Sequence, residues 1–152
     1  ATPTAEKKPK KKQASPQART RDWLKRCGAV VGTCSWWNAH AFRRVDLWGV
    51  GDLISFVPES NAVTLVQVTT ATNVPAHRTK ILENEAVRQW VQSPHRTILL
   101  IGWRKTGPRG GRKTWPNEPP IIEAITAADF DPQDSEPISR SATPFENTRN
   151  AS

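Results

Sequence analysis

Residues 51–55 read Gly-Asp-Leu-Ile-Ser, and residues 65–69 read Leu-Val-Gln-Val-Thr. Each segment places one polar side chain among apolar neighbours, and the turn residues Pro-Glu-Ser-Asn lie between them at 58–61. This pattern predicts a β-hairpin with one strand on either side of the turn. A polar atom buried in such a strand costs free energy unless something binds it. Asp52 and Gln67 are therefore the first candidate site residues.

The sequence on either side of the hairpin predicts helices and further strands. Ser15 followed by Pro16 is typical of a helix start, and apolar residues then recur at helical spacing until Gly28. A second helix is predicted over 74–92, and the apolar run at 97–103 indicates a strand buried on both faces. Because a helix between two strands forms a crossover, this strand is expected to lie parallel to its neighbour.

Shorter elements complete the prediction. Strands are expected over 29–33 and 119–125, whereas 34–48 has no clean period and is expected to be irregular. The basic segment 104–113 is expected to be a loop because it contains three glycines and a proline. The predicted fold class is α/β, with a small mixed β-sheet flanked by helices.

The charge of the chain is unevenly distributed. Residues 1–115 carry 20 Lys or Arg and 7 Asp or Glu, whereas residues 116–152 carry 2 and 7. The front of the chain therefore favours a polyanionic partner such as nucleic acid. We expect a disordered basic arm over 1–14, one folded domain over 15–126, and a disordered acidic tail rich in Pro and Ser over 127–152.

Membrane and secretory classes are not favoured. The chain has no apolar run of the roughly 18 residues that a membrane-spanning helix needs. Its basic start leads into Gln13-Ala14-Ser15-Pro16 and not into an apolar signal segment. Cys27 and Cys34 have neither CxxC spacing nor a partner pair elsewhere. We expect a reducing, intracellular, cytoplasmic setting and no membrane partner.

The two hairpin residues favour a metal site. Mg²⁺ requires oxygen ligands and usually keeps several waters beside one or two carboxylates. Asp52 and Gln67 can point to the same end of neighbouring strands, and Asp46 is the nearest second carboxylate in the sequence. A bound Mg²⁺ or Mn²⁺ would orient water and offset the charge that develops during phosphodiester hydrolysis. The alternative interpretation makes Asp52 a strand cap, Gln67 an ordinary strand residue, and Asp46 an ion-pair partner of Arg43 or Arg44.

The order of these elements carries a family resemblance. The predicted order is helix, strand, the Gly-Asp-Leu-Ile strand of the hairpin, the Val-Gln-Val-Thr strand, helix and strand. This order resembles the αβββαβ core of the PD-(D/E)XK nuclease superfamily, over residues 15–103. The likeness is to its Holliday-junction-resolvase-like and phage-encoded members. It implies a restriction-endonuclease-like fold in which Asp52 matches the first acid. Residues 67–69, Gln-Val-Thr, then match the family's acid–x–lysine motif.

The resemblance also assigns roles to side chains outside these two strands. Gln67 still offers one oxygen in place of the acid, but Thr69 cannot supply the positive charge of the lysine. A lysine displaced to another element could replace it, and Lys80 is the first choice. The family's additional acid from the first helix would be Asp22, or Gln17 would stand in its place as a neutral substitute. The expected metal ligands are Asp52, Asp46 and Gln67, and the expected catalytic residues are Asp52, Gln67 and Lys80.

Basic side chains are the candidates for DNA contacts. Several tryptophans lie near them in sequence, where either the packing of loops or stacking on exposed bases would account for their positions. The predicted nucleic-acid-binding residues are Lys7, Lys8, Lys10, Lys11, Lys12, Arg43, Arg44, Arg78, Arg104, Lys105, Arg109, Arg112 and Lys113.

Two functions follow from this sequence. The first is a Mg²⁺- or Mn²⁺-dependent deoxyribonuclease that acts on structured or nonspecific DNA. The second is the same fold without catalysis, acting as a nucleic-acid-binding or assembly subunit in a phage particle or another large complex, which Thr69 favours. A basic protein–protein adaptor is a third alternative. The sequence leaves open a homodimer or a larger assembly.

Overall fold

A five-stranded mixed β-sheet organises the part of the chain that the computed structural model describes, residues 13–130. The predicted α/β class and the small mixed sheet are confirmed. The helices and strands are α1 (Pro16–Arg26), β1 (Val30–Thr33), β2 (Trp36–Asn38), β3 (Arg43–Val45), β4 (Leu53–Phe56), β5 (Val63–Thr70), α2 (Val74–Leu82), α3 (Glu85–Trp90), β6 (Arg96–Trp103) and β7 (Ile121–Ile125).

The strand order in the sheet is β1-β4-β5-β6-β7, and β2 and β3 form a separate two-stranded sheet. The predicted hairpin is present because β4 pairs antiparallel with β5, with Leu53 opposite Val66. The predicted parallel pair is also present, since β5 and β6 run in the same direction and α2 and α3 connect them. The remaining pairs of the large sheet are antiparallel.

Two apolar cores lie on opposite faces of the sheet, because successive strand residues point to opposite sides. On β5, Val66 packs in the core that includes Leu24 of α1, whereas Leu65 packs in the core that includes Val74 and Ile81 of α2. Helices therefore cover both faces. None of the helices within residues 13–130 is long and apolar enough to cross a membrane.

The first helix begins where the sequence predicts. The Ser15 hydroxyl accepts a hydrogen bond from the Ala18 N–H at 3.2 Å, and Pro16 occupies the first helical turn. Gly28 follows the helix with φ of +89°, a conformation that favours glycine. Sequence signals at both ends of α1 are thus sufficient to place it.

The predicted single helix over 74–92 is wrong, because the chain forms α2 and α3 with a break at Glu83-Asn84. Asn84 has an extended backbone, and its side-chain oxygen accepts a hydrogen bond from the Val87 N–H at 3.2 Å. An asparagine cap in the middle of a helical period therefore starts a new helix.

The prediction of an irregular segment over 34–48 is also wrong, because this segment contains the β2–β3 hairpin. Trp37 lies opposite Arg44, and Asn38 lies opposite Arg43. The Asn38 side-chain oxygen accepts hydrogen bonds from the backbone N–H groups of His40 and Ala41, at 3.0 and 3.1 Å. Asparagine makes this local turn readily, and the turn reverses the chain.

Ordered structure extends past the predicted domain boundary at 126. Ala127–Asp129 forms a short 3₁₀ turn, and Phe130 is buried in the core beneath α2 and α3. The predicted arm residues 1–12 and tail residues 131–152 lie outside the described residues, including Lys7, Lys8, Lys10, Lys11 and Lys12.

A buried hydrogen bond joins α1 to the sheet and yields the first prediction. The Trp103 indole N–H donates to the Thr20 hydroxyl at 2.8 Å, and both side chains are almost fully buried. Thr20→Val leaves the indole N–H without its acceptor and should lower the free energy of unfolding by about 1–3 kcal/mol. Urea denaturation measures the change.

Thr79→Val is the matched control. Its hydroxyl, like that of Thr20, donates to the carbonyl four residues earlier, but Thr79 is exposed. The control should change the free energy of unfolding by less than about 0.5 kcal/mol. Equal losses in the two variants would show that the Trp103 contact does not hold α1 in place.

Candidate functional site

A solvent-open cleft of about 320 Å³ lies at the carboxyl end of β5, against the N-terminus of α1. Three parts of the chain meet there: the start of α1, the β2–β3 hairpin, and the adjoining ends of β4 and β5. The carboxyl end of parallel strands is a common location for ligand sites in α/β folds. The residues that line the cleft are Ser15, Pro16, Gln17, Arg44, Asp52, Gln67, Val68, Thr69 and Thr70.

Asp52 and Gln67 lie side by side at the base of this cleft. The Gln67 amide nitrogen donates to Asp52 Oδ2 at 2.9 Å, and the Val68 N–H donates to the same oxygen at 2.9 Å. Asp52 is 8% exposed and Gln67 is 5% exposed. Both hydrogen bonds use Oδ2, so neither occupies Oδ1. The structure thus brings together the two residues that the hairpin pattern selected.

Burial raises the pKa of the Asp52 carboxyl above its usual range, because a charged carboxylate loses hydration there. The Val68 N–H opposes this shift by donating to the ionised form. The negative charge of Asp46 raises the pKa further, whereas the positive charges of Arg44 and His77 lower it. The cleft therefore contains a carboxyl group that gains a proton more readily than an exposed aspartate.

Arg44 crosses from the β2–β3 hairpin to the rim of the cleft. Its guanidinium donates to the Ser35 hydroxyl from Nη2 at 3.0 Å and from Nε at 3.2 Å. Nη2 also donates to the side-chain oxygen of Gln17 on α1. The sequence singled out Arg44 as a DNA contact, but its place beside Asp52 and the role of Ser35 were missed. The Asn38 turn was the available signal, since it predicts the hairpin that positions Arg44.

The structure places the two candidate residues of the first helix, Gln17 and Asp22, in different grooves. Gln17 lines the cleft, whereas Asp22 lines a smaller groove that also contains Arg19 and Arg26. The part of α1 that lines the cleft thus carries an amide at Gln17. Asp52 is the one carboxylate among the described residues that line the cleft.

Asp46 and Lys80 do not line the cleft. Asp46 is partly buried and acts on Asp52 through its charge, and Lys80 is exposed on α2. Among residues 13–130, no group of three or more His, Cys, Asp or Glu side chains converges in the manner of a metal centre. Because Asp52 Oδ2 already accepts two hydrogen bonds, the side-chain oxygens of this pair that remain for an ion are Asp52 Oδ1 and Gln67 Oε1. Two such oxygens are near the lower end of what Mg²⁺ accepts when waters complete its shell. The cleft fits Mg²⁺ only in this minimal way.

Other predicted DNA-contact residues occupy varied positions. Arg78 forms salt bridges with Glu123 at 3.2 Å and with Asp129 at 3.0 Å. It therefore connects α2 to β7 and to the 3₁₀ turn that follows β7. Arg43 is exposed on the hairpin. The exposed basic residues of the loop after β6 are Arg104, Lys105, Arg109, Arg112 and Lys113.

Trp115 holds this basic loop against α1. The Arg19 guanidinium lies 4.7 Å from the centre of the Trp115 indole ring, and the Lys105 amine lies 5.7 Å from the same point. The indole N–H donates to the Gln13 side chain at 3.1 Å. The loop itself is closed by reciprocal backbone hydrogen bonds between Thr106 and Thr114. Two cation–π contacts to one ring therefore stabilise the position of the loop.

Comparisons of the chain with protein-family models, with curated proteins and with solved structures give no match.

The Asp52 environment yields a prediction on stability and pH. A carboxyl whose pKa is raised by folding costs stability when it ionises, so its penalty is absent in acid and grows as the pH rises past the ordinary aspartate value. Asp52→Asn should therefore raise the melting temperature relative to the original protein at neutral pH. The difference should vanish in acid, and thermal unfolding between about pH 3 and 7 measures it.

Asp129→Asn is a control with the opposite sign. The Thr126 backbone N–H, followed by Arg78, holds the pKa of Asp129 below its usual range. That carboxylate contributes stability above the ordinary aspartate pKa, and the contribution is lost as the pH falls through the lowered value. Asp129→Asn should therefore lower the melting temperature at neutral pH. A melting temperature that falls in both variants would contradict the assigned burial penalty of Asp52.

Proposed function

We propose that this protein binds DNA through the phosphodiester backbone, with the Asp52 cleft as a contact site for one phosphate. The observation that carries the proposal is Arg44, whose guanidinium lies at an open cleft beside the Gln17 side chain. Guanidinium N–H groups are donors suited to phosphate oxygens. The net charge of +8 adds long-range attraction for a polyanion.

The N-terminus of α1 supports the same assignment. Ser15, Pro16 and Gln17 form one wall of the cleft, and the positive end of a helix dipole favours an anion there. Asp52 is the group that opposes an anion in this cleft. A phosphate that enters it is expected to draw in a neutralising partner, either a proton on Asp52 or a divalent cation.

A second candidate function is metal-dependent cleavage of the bound strand. It is supported by the placement of Asp52 just before β4 and of Gln67 on the adjacent β5, followed by helices and a parallel strand, as the resemblance to PD-(D/E)XK nucleases implies. Asp52 and Gln67 would hold Mg²⁺ or Mn²⁺, which when bound orients water and stabilises charge on the phosphate. Arg44 would stabilise that charge from the rim of the cleft. Lys80 would not take this role, because it does not line the cleft.

The competing proposal is that the protein binds nucleic acid without cleaving it, as an assembly subunit of a phage particle or another large complex. It is supported by Thr69, which is 9% exposed at the wall of the cleft and carries no charge. It is also supported by the Gln67 amide, which directs its nitrogen toward Asp52.

Binding by the full chain tests the first proposal. Arg44→Gln should weaken binding to a labelled duplex about tenfold at low salt and reduce the slope of log affinity against log salt by about 1. The matched control is Arg96→Gln. Arg96 is equally a surface arginine but lies at the opposite end of the sheet, since it begins β6 opposite Val63. Fluorescence anisotropy at several salt concentrations measures both variants.

The two variants separate a specific contact from general electrostatics. If Arg44→Gln and Arg96→Gln weaken binding equally, the cleft is not a phosphate site and only the net charge matters. If the full chain retains no DNA at about physiological salt, the proposal itself is wrong.

Cleavage of linear and branched DNA with Mg²⁺ or Mn²⁺ tests the second candidate. Asp52→Asn should abolish cleavage and should strengthen DNA binding in the absence of metal, because it removes the negative charge from the cleft. Asp22→Asn, on the exposed side of α1, should leave both properties unchanged. Cleavage that survives Asp52→Asn would remove this site from consideration, and binding without any cleavage would favour the assembly role.

A further inference from the structure

The β2–β3 hairpin exposes three large apolar side chains. Trp36 is 58% exposed, Trp37 is 63% exposed, and Phe42 is 83% exposed. Aromatic side chains gain much of their free energy of burial from leaving water, so three exposed on one short hairpin indicate a binding surface. One of these rings faces an arginine across the hairpin, because Trp37 lies opposite Arg44, whereas Trp36 lies opposite Val45.

The backbone of the hairpin holds Phe42 outward at a conformational cost. Phe42 has φ of +48°, in the left-handed region that bulky residues rarely adopt. The Asn38 side chain fixes the preceding turn through its hydrogen bonds to the N–H groups of His40 and Ala41. Strained backbone conformations occur most often at binding and active sites, and here the strained residue exposes an aromatic ring to water.

The register places Trp37 on the same side of the hairpin as the arginine of the cleft. Residues directly opposite in an antiparallel pair point to the same face, with their Cβ atoms about 5 Å apart. Arg44 reaches Ser35 and Gln17 at the rim of the cleft from that face. The Trp37 ring therefore lies next to Arg44, the side chain that we propose contacts a phosphate.

We propose that the β2–β3 hairpin is a stacking platform for unpaired nucleobases, so that the preferred ligand is nucleic acid with single-stranded residues next to the phosphate held by Arg44. This inference rests on the proposed function and adds the substrate class. A base in a continuous duplex is already stacked on its neighbours, whereas an unpaired base offers its face to an indole. Single strands, flaps, frayed ends and junctions carry such bases.

The experiment compares a single-stranded oligonucleotide with a blunt duplex of the same length, using the full chain. Trp37→Ala should weaken single-strand binding roughly tenfold to hundredfold and duplex binding less than about threefold. Trp37→Phe should retain most of the single-strand affinity, because phenylalanine still provides a ring. The salt slope should stay unchanged in both variants, since no charge is removed.

Phe42→Ala and Phe56→Ala form a matched pair. Both phenylalanines are exposed, but Phe56 is the last residue of β4 and lies at the other end of that strand from Asp52. Phe42→Ala should weaken single-strand binding by at least about threefold, and Phe56→Ala should leave it unchanged. Thermal unfolding of each variant shows whether the fold persists.

The outcomes distinguish this inference from the proposed function. If Arg44→Gln weakens both ligands while Trp37→Ala changes neither, DNA binding stands and the stacking platform is wrong. If neither the original protein nor any variant binds the single strand or the duplex, both proposals are wrong. If Trp37→Ala leaves single-strand binding intact but releases the protein from vesicles of anionic phospholipid, the hairpin is a membrane-contact element and the inference is overturned.

Discussion

The hydrogen bonds to Asp52 are the constraint on which the site depends. The carboxylate lies just before β4 and receives one donor from the Gln67 side chain and one from the Val68 backbone, so it joins β4 to β5 at the edge of the cleft. The preceding residue is glycine, and a Cβ there would come within 2.4 Å of the buried Leu65 side chain. Glycine at position 51 thus permits the close approach of the backbone to Leu65.

The arrangement around Asp52 creates an electrostatic conflict that explains the chemistry of the cleft. The buried Asp52 carboxyl accepts hydrogen bonds from Gln67 and Val68 in a cleft that Arg44 also lines, and the pKa of the carboxyl is raised mainly by its burial. Such a group accommodates an anion only when its own charge is compensated. For the proposed phosphate contact, affinity would therefore be coupled to protonation of Asp52 or to a bound cation. This coupling would connect the two proposed functions, DNA binding and DNA cleavage, in one site.

The sequence was most informative where one signal dominated. Ser15-Pro16 located α1, and alternating polar and apolar residues located β4, β5 and the pairing of Asp52 with Gln67. The sequence-based prediction was wrong where an asparagine side chain bonds the local backbone and changes the secondary structure that the apolar spacing indicates. This happens at Asn84 between two helices and at Asn38 in the β2–β3 turn. The second failure concealed the place of Arg44, because only three-dimensional register brings β3 to the cleft. Contacts between distant segments, such as Gln17 with Arg44, have no local signature in the chain.

Trp115 has a consequence for how the basic parts of the chain act together. Its ring contacts Lys105 at the start of the basic loop and Gln13, which directly follows the lysine-rich residues 7–12. The described part of the chain therefore begins beside the basic loop. If the proposed binding of a polyanion is correct, contact through the loop would raise the effective concentration of the lysines that precede Gln13 in the sequence. Trp115 would then couple these two sources of positive charge.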